Sequence, residues 1–445
     1  MKQLKRFLIL SICGTVLISA MSCGCIFKKK DSNDIVQIKS LDKFPMYLDH
    51  SPPVPVYRIS SNSTIHRFFD TSPISPSGRY VALFKMPYEN KSPQPGDMGD
   101  VMLVDLKEGT EKSIAKTCGW EVQMGANVQW GANDSVVFYN NVDTTSWKPY
   151  CAKLNPFTGE IKKLDGTIFM ASNDGKMLVS HDLIKSKLAQ TGYGVILPDS
   201  LVKRNIGAPA DDGVYVTDTD TGEEKLLVSI ADIYEHSIPS IKIPNMIDYE
   251  YYCFQAKWNP QGTKLLTTIQ WSPIGGGPRR RVVVTMNADG GNLRTAITAD
   301  QWAKGGHHIN WHPDGKHVTM NLNVRGKEGL EIIKVRDDGT DMQVIYPKGS
   351  GHPSFHKNGR YIVTDAYPNE DISFGDGSVP IRLIDTKLQT ETCIARIYVS
   401  DIGGGEFRTD PHPAWDDSGK YITFNGYVGN TRQVYVADVS KLIEK

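Results

Sequence analysis

A chain of 445 residues with 50 basic and 50 acidic side chains has no bulk basic excess, which argues against a nucleic-acid partner. Hydrophobic residues at 40% and charged residues at 22% suit a folded protein with ample core and exclude a disordered chain. Its 7 cysteines show no CxxC spacing that would suggest a zinc ribbon, and they are too scattered for a disulfide scaffold.

At the N-terminus, Lys2, Lys5 and Arg6 precede an almost wholly apolar run from Phe7 to Met21, and small residues follow at Ala20 and Ser22. That order is a secretory signal, with an apolar core short for a spanning helix. The small residue before Cys23 resembles the lipobox of bacterial lipoproteins, with Cys25 as a competing position. Residues 1–22 are therefore expected to be a lipoprotein-type signal peptide and Cys23 the lipidated residue. The expected location is the periplasm or outer membrane of a bacterium, with a lipid anchor as the only link to the membrane. Residues 23–50, polar and lysine-bearing, read as a flexible tether. Residues 51–445 read as one folded domain, in which Cys118, Cys151, Cys253 and Cys393 are buried thiols or at most form a bridge or two.

Within that domain one phrase recurs: an aromatic or apolar residue, a polar turn ending in Gly, then an alternating strand. It reads Ile74-Ser-Pro-Ser-Gly78, Trp258-Asn-Pro-Gln-Gly262, Trp311-His-Pro-Asp-Gly315, Phe355-His-Lys-Asn-Gly359 and Trp415-Asp-Asp-Ser-Gly419. Weaker copies begin at Trp130 and Ala171. Period-two alternation between Gly turns is hairpin chemistry, because Gly supplies the positive φ of a tight turn. Copies roughly fifty to sixty residues apart suit four-stranded blades. The expectation is an all-β chain, a single β-propeller of seven blades, with six or eight as alternatives because the gap between Gly175 and Gly262 is long. Val54 to Ser60 is the candidate ring-closing strand.

Three residues before each aromatic position stand Thr71, Asn127, Ile168, Gln255, His308, His352 and His412. Equivalent positions on channel-lining strands converge at one mouth of a propeller, so three successive histidines there suit a first-row divalent metal, or a metal plus a base. A His-Pro strand-entry turn copied by duplication is the structural alternative. His307, Arg408 and Asp410 lie close in sequence, and the first copy adds His66, Arg67 and Asp70. The Gly275-Gly-Gly277 loop leads to Arg279, Arg280 and Arg281, which read either as a grip on an anionic substrate or as a solvated loop. His66, Arg67, His307 and Arg281 are the candidate substrate contacts. His312, His317 and His356 fall outside the cluster. No GxSxG, HExxH, P-loop or Rossmann fingerprint is present, which disfavours serine-hydrolase, zincin and nucleotide chemistry.

The Trp-x-Pro-Asp-Gly phrase resembles the TolB-like propeller repeat over residues 66–440. The histidine-bearing blades resemble the oligogalacturonate lyases, polysaccharide lyases built on a seven-bladed propeller. The segments that carry this are Gly306-His-His308, Ser350-Gly-His352-Pro353 and Arg408-Thr-Asp-Pro-His412-Pro413. In that family, late-blade histidines and a glutamine hold a manganese-like divalent ion while another histidine acts as base. The resemblance implies β-elimination on acidic, uronic-acid-containing oligosaccharides of the oligogalacturonide type by a monomer. His352, His412, Asp410 and Gln255 go to the metal, His308 to the base and Arg408 to the substrate carboxylate, with the roles open to permutation. The sequence departs from the family where Asp410 replaces the first of two closely spaced last-blade histidines. The alternative is a non-catalytic TolB-like propeller that binds a protein or glycan in the cell envelope.

Overall fold

Each recurring phrase folds as a hairpin whose turn glycine has positive φ, from 66° at Gly315 to 81° at Gly78. The hairpins extend into seven four-stranded antiparallel sheets in a computed structural model that describes residues 41–326, 329–399 and 405–443. These sheets are the seven blades of a propeller. Their first strands are Thr64–Ile65, Gln129–Trp130, Met170–Ala171, Tyr249–Trp258, Gly306–Trp311, Ser354–Phe355 and Ala414–Trp415. The long gap after Gly175 holds no extra blade. It contains the rest of blade three, a 182–212 insertion and the capped helix Ile230–His236, which leads to blade four.

The ring closes through Val56–Arg58, which pairs with the last strand, Arg432–Asp438, in the register Val56↔Ala437. Closure of this kind joins the beginning and the end of the domain in one blade, with Val56–Arg58 as its edge strand.

Neighbouring blades are stitched by the motif tryptophans. The indole of Trp130 donates to Pro73 O (2.8 Å), Trp311 to Lys257 O (3.2 Å) and Trp415 to Ser354 O (3.0 Å). Each acceptor is the residue just before the motif position of the preceding blade, so one contact is made at three blade junctions, while the Trp258 indole nitrogen is buried without a partner. The tryptophan is thus both apolar filler and hydrogen-bond donor, the two demands a buried indole must meet together.

The leader, Cys23 and the expected tether as far as residue 40 lie outside the described residues. The tether expectation over 23–50 is corrected at its C-terminal end. Leu41 and Tyr47 are buried, Tyr47 N–H donates to Val56 O (2.8 Å) and its hydroxyl donates to Arg396 O (2.8 Å). Cys118, Cys151 and Cys253 are buried free thiols as expected, whereas Cys393, expected to be buried or bridged, is free and exposed. No described helix is long and apolar enough to cross a membrane.

Candidate metal centre

The strand order places the start of each first strand at one end of the channel, and there the backbone is kinked. Asn127, Gln255, His308 and His412 have φ of 53°, 60°, 59° and 48°, and blade six makes the turn one residue earlier, at Gly351 (φ 56°). In blades four and five the kink is a register shift between Phe254 and Lys257 and between His307 and Asn310. A left-handed non-glycine residue costs roughly 1–2 kcal/mol. Bulges of this kind re-aim a side chain, and they concentrate beside functional sites.

The kinks bring the three in-register histidines together. Ring centroids of His308 and His352 lie 3.8 Å apart, and those of His352 and His412 4.3 Å. His352, Asp410 and His412 offer ligand atoms within 4.8 Å of one another. His352 Nε2 and both ring nitrogens of His412 are buried without a hydrogen-bond partner. Orphaned lone pairs beside a carboxylate form a nitrogen–oxygen donor set suited to first-row divalent ions. Burial, with His352 next, pushes the His308 and His412 imidazoles well below their ordinary pKa, which keeps their lone pairs available.

Hydrogen bonds fix which nitrogen is free. His308 Nδ1 lies 2.7 Å from both Gly351 O and His307 Nδ1; the carbonyl can only accept, so the proton sits on His308 Nδ1, shared with His307 Nδ1, and Nε2 keeps its lone pair. Asn321 Nδ2 also donates to that carbonyl (2.8 Å) and lies 3.2 Å from His307 Nδ1. His352 Nδ1 lies 2.9 Å from Asp365 Oδ2, and the His352 backbone N–H donates to Asp365 Oδ1 (2.6 Å).

Arg408 Nε donates to Asp410 Oδ2 (2.8 Å), itself 3.8 Å from His412 Nε2. The guanidinium stands 5.9 Å from the Tyr193 ring centre. Its segment is tied down by Gln123 Nε2, which donates to Glu406 O (2.7 Å) and Arg408 O (3.2 Å). Tyr367 packs over the histidines, its ring 28° and 6.3 Å from His308 and 6.0 Å from His352.

Other expected residues are placed differently. Blade one leaves its first strand after Ile65 and rejoins the sheet at Ile74, so Thr71 is not the register equivalent. His66 is: its N–H donates to Asn425 Oδ1 (2.9 Å) and Asn425 returns a bond to His66 O (3.3 Å). Asn140 holds Ile168 by the same two contacts, at 2.8 Å each. The His66 ring is buried, 6.5 Å from His412.

The excursion carries Phe68 and Phe69 under the histidines, with Phe68 4.6 Å from His412 and Phe69 5.6 Å from His352. Arg67 belongs to this filling rather than to a substrate surface. It is buried against Asp70, and it donates to Asn127 Oδ1 (3.1 Å), Thr71 Oγ1 (2.9 Å) and Phe169 O (2.6 Å). Lys257 completes the buried charge set, 2.9 Å from Asp70 and 2.7 Å from Ile309 O.

Gln255 is buried at the equivalent position of blade four. Arg281 is half-buried at the mouth, 5.9 Å over the Trp302 ring and 3.4 Å from Gln270 Oε1. His312 and His317 flank Asp314 at 3.0 and 2.8 Å in the turn at the other end of the blade, away from the cluster.

Sequence reasoning missed Asp365, Tyr367 and Tyr193, which come from connecting loops outside the repeated phrase. It also missed the Phe68–Phe69 plug, for which the only signal was an aromatic pair before the first motif.

No protein-family model matches the chain, and no curated protein does. Solved structures do. An oligogalacturonate lyase in complex with manganese is similar with a TM-score of 0.61 at 16% identity, covering 89% of this chain and 96% of that one. An oligogalacturonate lyase from Vibrio parahaemolyticus is similar with a TM-score of 0.62 at 15% identity, covering 90% and 98%. A putative TolB from Agrobacterium tumefaciens aligns over 74% of this chain and 94% of its own at 14% identity, with a TM-score of 0.39. At these identities the likeness is one of fold: the chain is a seven-bladed β-propeller whose architecture the oligogalacturonate lyases share over nearly their whole length.

Proposed function

We propose that the protein is a metal-assisted polysaccharide lyase that cleaves uronic-acid-containing oligosaccharides, of the oligogalacturonide type, by β-elimination. The observation that carries the reading is the His352–Asp410–His412 cluster, with its orphaned nitrogens, directly beside His308 with one free nitrogen. The fold likeness to a lyase in complex with manganese supports it.

In this reading His352, His412 and Asp410 hold a divalent ion, with Gln255 as a further oxygen donor. The ion supplies Lewis-acid neutralisation of the substrate carboxylate. Neutral His308 removes the C5 proton through Nε2; the C5–H electron pair forms the C4=C5 double bond as the C4–O glycosidic bond breaks, the departing oxygen takes a proton from water, and the imidazolium is steadied by the Gly351 carbonyl. Arg408 faces the carboxylate with fixed positive charge, since Asp410 and the two tyrosines, against the cost of burial, raise its pKa. Tyr367 and Tyr193 wall the site. His307 and Arg281 lie on the blade-five side of the mouth, where a neighbouring acidic sugar can meet them. The signal-like leader supports an exported protein held at the cell envelope by lipid on Cys23.

The test is purified protein with pectic, glucuronan and ulvan oligomers. The expected result is a rise in ultraviolet absorbance as unsaturated uronate forms, lost on chelation. Elemental analysis should find stoichiometric divalent metal that His352→Ala removes. No absorbance change on any of the three substrates overturns the lyase. A metal-free wild-type protein with intact glycan or protein binding favours a non-catalytic propeller instead.

A further inference from the structure

The Gly351–His352 turn is held from outside the repeated motif by two side chains: Asn321 Nδ2 donates to Gly351 O (2.8 Å), and Asp365 takes the His352 peptide N–H. Asp365 follows the second strand of blade six, Tyr361–Thr364, and its carboxylate is buried. Oδ1 accepts the His352 backbone N–H (2.6 Å), and both oxygens lie within bonding distance of His352 Nδ1, at 3.0 and 2.9 Å. The turn is shaped around it: a Cβ on Gly351 would meet Asp365 Oδ1 at 2.2 Å and its carbonyl oxygen at 2.3 Å, at a backbone φ of +56°. An ionised carboxylate only accepts, so the His352 proton must sit on Nδ1. The lone pair is thereby confined to Nε2, the atom buried without a partner beside Asp410 and His412.

The same turn serves a second imidazole. Gly351 O accepts from His308 Nδ1 (2.7 Å), while the next peptide N–H belongs to Asp365. The segment therefore bears on which nitrogen is free on two adjacent rings 3.8 Å apart, alone among the described contacts for His352 Nδ1 and together with His307 Nδ1 (2.7 Å) for His308.

We propose that Asp365 is a positioning residue that fixes the Nδ1–H tautomer of His352, presenting Nε2 as a metal ligand, and that by pinning the Gly351–His352 turn it also fixes the tautomer of His308. The inference rests on the metal reading given above. Carboxylate partners of metal-bound histidines orient the ring and raise its basicity, and their loss typically weakens metal binding about 10–100-fold.

Asp365→Asn separates the two roles. Its amide oxygen can still accept the His352 N–H and hold the turn, but its NH₂ can donate to Nδ1 and so favours the Nε2–H tautomer. The experiment measures ¹⁵N shifts of the histidine ring nitrogens in the metal-free full chain, then Mn²⁺ and Zn²⁺ affinity by titration. The expected outcome is His352 moving from Nδ1–H toward Nε2–H and a drop of about 10–100-fold in affinity. His308 and the thermal midpoint should stay unchanged. Asp365→Ala, which also frees the turn, should in addition disturb the His308 shifts. An unchanged His352 tautomer with wild-type affinity in Asp365→Asn overturns the proposal and leaves the metal reading standing. A wild-type protein that binds neither ion overturns the metal reading, and with it the purpose assigned to Asp365.

Discussion

At the scale of single residues, the site depends most on atoms that never touch a ligand. Gly351 is one, since any side chain there would collide with Asp365 at a left-handed φ. Gly351→Ala should therefore lower metal affinity by at least about tenfold, the cost expected when an outer-shell partner is displaced, and calorimetric titration would read it. Asp70 is another. Burial opposes its charge, yet Arg67 and Lys257 hold its pKa below the ordinary carboxylate value, and the Lys257 ammonium is itself lowered to about 8 by burial. Asp70→Asn would leave two buried cations uncompensated, a loss of roughly 3–5 kcal/mol. Urea unfolding should show it as a lower midpoint, and an unchanged midpoint would mean water reaches the plug.

At the scale of elements, the repeated hairpin explains what could be read from sequence. The turn glycines are constrained by a positive φ, and Trp130, Trp311 and Trp415 by one donor bond to the preceding blade, so they recur and are visible. Trp311→Phe keeps most of the apolar volume but abandons the Lys257 carbonyl, which should cost about 1–3 kcal/mol in unfolding free energy. Trp258→Phe should cost less, because its indole nitrogen is already unpaired. The histidine positions were visible for the same reason of register. Blade one broke that register: the Arg67–Ser72 excursion moved the equivalent position to His66, and only the Asn425 contact reveals it. Asp365 and Tyr367 sit in a hairpin connection that no period marks, so nothing in the chain announced them.

At the scale of the whole molecule, buried neutral imidazoles set the response to acid. Burial lowers His66 to about 4 and His181 to about 3. In the unfolded chain both titrate near 6.5, so between pH 6.5 and 4 the unfolded state gains protons that the native state refuses. Stability of the metal-free protein should be full above pH 6.5 and fall as pH drops toward 4, by about 3 kcal/mol from His66 alone. Thermal unfolding across that range checks the sign. A bound divalent ion should raise the midpoint near neutral pH and steepen the decline, since protons compete with it for the histidine ligands as pH falls.

The closing strand has a consequence for the order of assembly. Val56–Arg58 precedes every blade in the chain, whereas its partner, Arg432–Asp438, follows the other six blades. Until Arg432–Asp438 is in place the edge strand has nothing to pair with, and the ring cannot lock. The clasp can fasten only after the strands of the last blade have arrived, which makes ring closure the final step of folding.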